Sequence, residues 1–200
     1  MIRRVATYLL AAVLGCAIGV GSALGMAGLL PGASPLAFGD VDVGGWRSDF
    51  AVGSPAADPY TRARIARHGL LALAQTEAVY FTRTADDAGE PLRESCTYRL
   101  SGGAMPAEWW SITLYDGASM LPTNTDGALS VDASRTGAGP WEAVITPTRP
   151  AYAAHWISSR RAGQFDLTLR MYVPAAALLD APEQTLVPPQ IERLSCKGAA

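Results

Sequence analysis

Hydrophobic and polar positions divide the chain into stretches of distinct period. From Val5 to Leu30 no charged residue occurs, and the run follows a short basic start, Met1-Ile2-Arg3-Arg4. As a helix this run would reach roughly 39 Å at 1.5 Å per residue, against about 30 Å for the hydrocarbon core of a bilayer. Leu30 to Pro59 is rich in Pro, Gly, Ser and Asp. It reads as a linker into the domain, with Trp46 and Phe50 tucked against it. Asp58-Pro59 then supplies a capping acid and a proline at the first helical position. Ala63, Ala66, Leu70 and Leu73 recur at helical spacing, with Arg62, Arg64 and Arg67 off that stripe. An amphipathic helix is predicted from Pro59 to about Gln75. Gly69 within it costs roughly 1 kcal/mol against Ala, which points to close packing on a sheet.

Beyond that helix the period drops to two. Val79-Tyr80-Phe81-Thr82-Arg83 is strand-like, and Asp86-Asp87-Ala88-Gly89 has turn chemistry. Cys96, Tyr98 and Leu100 alternate with Thr97 and Arg99, so Cys96 faces the core. In Ala107 to Gly117, Trp110, Ile112 and Leu114 point one way, while Trp109, Ser111, Thr113 and Tyr115 point the other. Trp141 to Ile145 is a weaker strand between two prolines. Gln164 to Val173 alternates most cleanly. Phe165, Leu167, Leu169, Met171 and Val173 form one face; Asp166, Thr168, Arg170 and Tyr172 form the other. A Pro-rich tail, Pro188-Pro189-Gln190-Ile191, leads to Cys196. Short strands with regular turns predict a mainly β chain, an antiparallel sandwich or jelly roll with one N-terminal amphipathic helix. The expected organisation is a transmembrane helix or signal anchor over 1–30, a linker over 31–58 and a β-sandwich domain over 59–197.

Composition fits a folded domain, with 49% hydrophobic and 17% charged residues. Setting aside Arg3 and Arg4, fourteen basic residues face eighteen acidic ones, about −4. No basic run or stripe appears, which argues against a nucleic-acid partner. The basic flank predicts a cytoplasmic N-terminus and an exported remainder, so the expected location is the bacterial inner membrane with the domain in the periplasm. Two other readings stay open. Gly25-Met26-Ala27 offers small residues for signal cleavage, and Val13-Leu14-Gly15-Cys16 loosely resembles a lipidation motif. Gly15, Gly19, Gly21 and Gly25 make two GxxxG spacings that would let membrane helices approach closely. In an oxidising compartment Cys96 and Cys196 read as a disulfide, worth up to about 4–5 kcal/mol in the chain-entropy model; the alternative is two unpaired buried thiols.

Catalytic signatures are sparse. His68 lies among arginines and reads as solvated. His155, in Ala154-His155-Trp156-Ile157, is the one residue that suggests a general base. No HExxH spacing, GxSxG elbow or phosphate-cradling glycine loop occurs. No cofactor and no metal is expected. If the strand carrying Trp109 and Tyr115 neighbours the one carrying Arg170 and Tyr172, their polar faces make one surface. Aromatics, hydroxyls and an arginine there suit a polar organic ligand or a carboxylate. The plainer alternative packs Trp109 and Tyr115 under the helix and pairs Arg170 with Asp166 or Asp116.

Several of these stretches together resemble a known family. They are Asp58-Pro59-Tyr60-Thr61-Arg62-Ala63, Glu77-Ala78-Val79-Tyr80-Phe81, Cys96-Thr97-Tyr98, Trp109-Trp110-Ser111-Ile112-Thr113-Leu114-Tyr115-Asp116 with Asn124, and His155-Trp156-Ile157-Ser158. The series closes with Phe165 to Pro174 and Pro188-Pro189-Gln190-Ile191. From about Pro59 to Cys196 the chain resembles the family called domain of unknown function 1214. That resemblance implies a β-rich, sandwich-like domain of envelope-associated bacterial proteins, in a short, membrane-anchored form without the second, N-terminal domain of larger relatives. The family often has Asn-Trp-Leu-Pro where this chain has His155 to Ser158. It carries no settled activity, so no catalytic residues transfer.

The expected function is a non-enzymatic envelope module binding a small polar or glycan-like ligand, or a neighbouring envelope protein. Trp109, Tyr115, Asn124, His155, Trp156, Arg170 and Tyr172 are the candidate ligand-binding residues. One rival is a hydrolase using His155 with Asp116 or Asp166. Another is a structural assembly subunit with dimerising membrane helices.

Overall fold

The computed structural model describes residues 2–27, 41–50, 52, 57–67 and 73–197. Helix α1 (Ile2–Met26) is the apolar run. Its Arg4–Met26 stretch is long and apolar enough to cross a membrane, with mean hydropathy 2.1. Strands β1 (Val41–Val43) and β2 (Trp46–Ser48) follow, then α2 (Pro59–Arg67) and β3 (Ala78–Arg83). Next come β4 (Cys96–Gly102), β5 (Ala107–Asp116), β6 (Ser130–Asp132), the short α3 (Ala133–Thr136), β7 (Trp141–Thr146) and β8 (Trp156–Ser158). The chain closes with β9 (Phe165–Pro174), two single-turn helices, α4 (Ala176–Asp180) and α5 (Pro182–Thr185), and β10 (Gln190–Cys196).

Two sheets result. The six-stranded sheet has the order β1-β2-β3-β9-β5-β6, and the four-stranded sheet the order β10-β4-β7-β8. All pairings are antiparallel except β7 with β8, which run parallel. The predicted mainly β sandwich is therefore the observed architecture, with one mixed sheet. Its core is set by alternation. Trp110, Ile112 and Leu114 on β5 sit opposite Met171, Leu169 and Leu167 on β9. Tyr98 and Leu100 on β4 and Ile145 and Ile157 on β7 and β8 belong to the same buried cluster. Trp110 stacks on Trp141, with ring centroids 4.8 Å apart. Close approach there requires Gly102, because a Cβ at that position would lie 2.6 Å from the Trp141 ring.

Turn chemistry fixes the register. Asp58 caps α2 as expected, accepting from the Tyr60 and Thr61 amides. Asp86 is buried, accepts from the Ala88 and Glu90 amides, and pairs with Arg193 of β10 at 3.2 Å. The Cys96–Cys196 disulfide forms where these two residues face each other across β4 and β10.

Several expectations are corrected. Residues 41–48, placed in the linker, instead form a hairpin that extends the sheet through Arg47 opposite Thr82. Asp42 and the left-handed Gly44 and Gly45 make its turn, and the fully buried Trp46 donates from its indole N–H to the Pro189 carbonyl at 2.7 Å. The predicted helix to Gln75 ends, as far as it is described, at Arg67. Gln75 lies in a turn and donates to the Phe50 carbonyl. His68, Gly69 and Leu70 lie outside the described residues. The Pro-rich tail gives way at Gln190 to a paired strand. Val173 does not join the inward face: it adopts φ 48° and is 49% exposed. That left-handed kink, costly for a β-branched residue, breaks the alternation just before the buried Pro174.

Candidate functional site

The outer face of the six-stranded sheet is built from the residues that alternate with the core. Pairing between β5 and β9 sets Trp109 opposite Tyr172, Ser111 opposite Arg170, Thr113 opposite Thr168 and Tyr115 opposite Asp166. β3 adds Tyr80 beside Arg170 and Thr82 beside Thr168. β6 adds Ser130 beside Thr113 and Asp132 beside Ser111. The floor is short and polar: Thr82, Ser111 and Thr168 are buried, and the hydroxyls of Thr82 and Thr168 lie 3.3 Å apart. Larger side chains stand around it. Trp109 and Tyr172 meet with centroids 5.5 Å apart, and the Trp109 indole donates to the Ser134 hydroxyl at 2.9 Å.

Arg170 occupies the middle of this face and is half-buried. One terminal nitrogen donates to the Thr113 hydroxyl at 3.3 Å and the other to the Tyr115 hydroxyl. Its guanidinium also lies 5.3 Å from the Tyr115 ring centroid. It forms no ion pair with Asp166 or Asp116, so the expected alternative of a structural pair does not occur. Burial pushes the Tyr80 hydroxyl pKa up, Tyr172 adds to this, and Arg170 works against it.

Asp166 sits at the Tyr115 end of the face. Burial, together with the nearby Asp116 carboxylate, pushes its pKa up to about 7, against a smaller opposing hydrogen bond from Thr168. Its Oδ1 is buried with no hydrogen-bond partner among the described residues. Asp116 itself is engaged in a turn, accepting from the Ala118 and Met120 amides at 2.9 Å each.

The other three candidate residues go elsewhere. Asn124 is a loop brace: it donates to the Arg160 carbonyl at 2.9 Å and accepts from the Asp126 amide. His155 and Trp156 line a cavity of about 290 Å³ with Asp126, Ser130, Arg135 and Arg149. That cavity lies where β6, at the edge of one sheet, meets β8, at the edge of the other; the Ser158 amide donates to the Ala128 carbonyl across the seam. The acid beside His155 is thus Asp126, and neither Asp116 nor Asp166 lines the cavity. Asp126 is already engaged by Ser158 at 2.6 Å and by the Arg160 fork. Those bonds, Arg160 foremost, hold its carboxyl below the usual range. Sequence reasoning brought the Trp109, Tyr115, Arg170 and Tyr172 set together correctly. It missed Arg135 and Arg149, which come from different connections and share no local pattern with His155. Among the described residues, no group of three or more His, Cys, Asp or Glu gathers to hold a metal ion.

Two sheets closed over one core, behind an apolar N-terminal helix that by length and composition fits a membrane anchor or a signal sequence, define a β-sandwich protein. The chain belongs to the family described as protein of unknown function (DUF1214), whose model matches residues 77–176. Among curated proteins none matches it. The crystal structure of the VPA0106 protein from Vibrio parahaemolyticus is similar, with TM-score 0.56 and 21% identity over 70% of this chain and 36% of that one. An uncharacterised protein from Burkholderia cenocepacia gives TM-score 0.41 and 12% identity over 58% and 29% of the two chains. The chain spans about a third of the length of these solved proteins. The first likeness is one of fold.

Proposed function

We propose that this is a membrane-anchored envelope protein of the bacterial inner membrane, with its sandwich held in the periplasm. The outer face of the six-stranded sheet acts there as a non-enzymatic module for a small, polar, carboxylate-bearing ligand such as a sugar acid. The observation that carries this reading is Arg170: a half-buried guanidinium held by two hydroxyls, with no carboxylate paired to it among the described residues. A guanidinium retains several donors in a planar fork after two are used, and a carboxylate matches that fork. Partial burial strengthens such a bond over one in open water. Trp109 and Tyr172 offer ring faces beside it for the apolar side of a sugar. The polar floor of Thr82, Ser111 and Thr168 suits hydroxyl groups. The location is supported by the basic flank before α1 and by the disulfide, which favours an oxidising compartment.

The test is titration of the full-length chain in detergent with a panel of sugar acids, followed by calorimetry. Arg170→Ala should weaken binding of a responding ligand tenfold or more, and Trp109→Ala should weaken it less. If both variants stay folded and every measured affinity is unchanged, this face is not the site. An alkaline-phosphatase fusion after Cys196, active only in an oxidising compartment, checks the topology; an expressed but inactive fusion would overturn the periplasmic placement.

A further inference from the structure

A second site lies off the sheet face, in the seam cavity, and its argument does not depend on the reading above. Three basic side chains line this cavity: Arg135 from α3, Arg149 from the β7–β8 connection and His155 at the mouth of β8. Among the described residues one acid lines it, Asp126, and that carboxylate is neutralised. Arg160 takes it with a two-nitrogen fork while Ser158 donates to the same group. Arg135 has a loose partner outside the lining, Asp132, at 3.5 Å. Arg149 has no carboxylate within ion-pair distance among the described residues. The His155 imidazole likewise makes no hydrogen bond among them, because only the backbone carbonyl of His155 is engaged, by the Val144 amide. The cavity wall therefore carries positive charge that the protein does not compensate, with a hydroxyl from Ser130 beside it.

We propose that the seam cavity binds a small oxyanion, a carboxylate or phosphate group, held by Arg149 and His155 with Arg135 as a flanking cation. Its volume of about 290 Å³ limits the guest to a small molecule or to the anionic end of a larger one. Trp156 forms a fixed wall rather than a swinging lid, since its indole N–H is bound to the Thr146 carbonyl at 2.9 Å. Asp126, on the cavity wall, is fixed by the Arg160 fork and the Ser158 hydroxyl. The site is built at a junction between the two sheets, which the Ser158 amide bridges to the Ala128 carbonyl.

The chain has only two histidines, His68 and His155, so ring NMR reads the site directly. Full-length protein in detergent micelles is titrated with inorganic phosphate and, separately, with succinate, and the His155 resonances are identified by His155→Gln. The proposal expects a saturable shift of the His155 ring with at least one probe. Arg149→Ala should raise the apparent Kd tenfold or more, with Arg149→Lys in between. Arg170→Ala should leave it unchanged, which separates this site from the sheet face. Arg149 is exposed, so its replacement leaves the core intact. Saturation by phosphate alone or succinate alone identifies the source of the oxyanion. A shift that rises without saturating, that tracks ionic strength alone, or that survives Arg149→Ala unchanged overturns the proposal.

Discussion

Trp109 and Trp110 are neighbours on one strand and belong to different regions of the molecule. Trp110 is 4% exposed and stacked on Trp141; Trp109 is 37% exposed and tilted against Tyr172. The inner face of β5 and β9 is complete: its apolar side chains fill one another's gaps from both sheets, and none of them waits for a partner. The outer face of the same strands is satisfied only in part. Among the described residues it carries a cation without a counter-ion and an acid oxygen without a donor. The backbone is common to both faces, so only side-chain chemistry separates a face made for stability from one with capacity to spare.

The largest effect that would sharpen this contrast is Trp110→Ala, expected to destabilise by about 4 kcal/mol through lost burial and a residual cavity. Urea unfolding of the full-length chain measures it. A cost below about 1 kcal/mol would mean that the inner face is not the core described here.

Asp166→Asn comes next and has a pH signature. The folded-state pKa of Asp166, about 7, stands above its ordinary value of 3.8. The folded protein therefore holds this proton more tightly than the unfolded chain does. The resulting stability is fully present below pH 4, falls as pH rises through 7, and is absent above it. The loss is on the order of 4 kcal/mol at most. The Asn variant should lack that fall and be the more stable protein at pH 8. Parallel stability curves for the two proteins between pH 4 and 8 would break the account of the outer face.

Gly102→Ala probes the inner face from the other sheet. The added methyl meets the Trp141 ring, and overpacking of this kind costs about 1–3 kcal/mol. The smallest effect is Trp109→Ala. It should cost under about 1 kcal/mol in stability, since surface changes usually fall within ±0.5, while ligand affinity falls. A stability loss equal to that of Trp110→Ala would erase the distinction between the faces.

How much of this could be read from the chain follows from the same contrast. Both faces of β5 and β9 were legible because ten-residue strands repeat the period-two signal long enough to outweigh local exceptions. The disulfide was legible from two cysteines outside the apolar run, and the capped start of α2 from Asp58-Pro59. The β1–β2 hairpin was not. Its strands have three residues each, too few for a period, and its turn residues look like a linker's. β6 and β8 are equally short, which concealed the seam and so the meeting of Arg135, Arg149 and His155. Val173 was misassigned because alternation assumes an extended backbone, and nothing in its side chain announces a left-handed φ. Asn124 was singled out as part of a motif, but its amide is used to hold a loop.

The Cys96–Cys196 bond has one more consequence. It turns everything from β4 to β10 into a covalent ring, with α1, α2 and the first three strands as a tail outside it. A single cut by a protease anywhere between these cysteines opens a loop without releasing a fragment, so both sites stay on one covalent molecule. A pull transmitted along the chain from α1 reaches the β1–β2 hairpin, held in the core by the buried Trp46, before it reaches the ring.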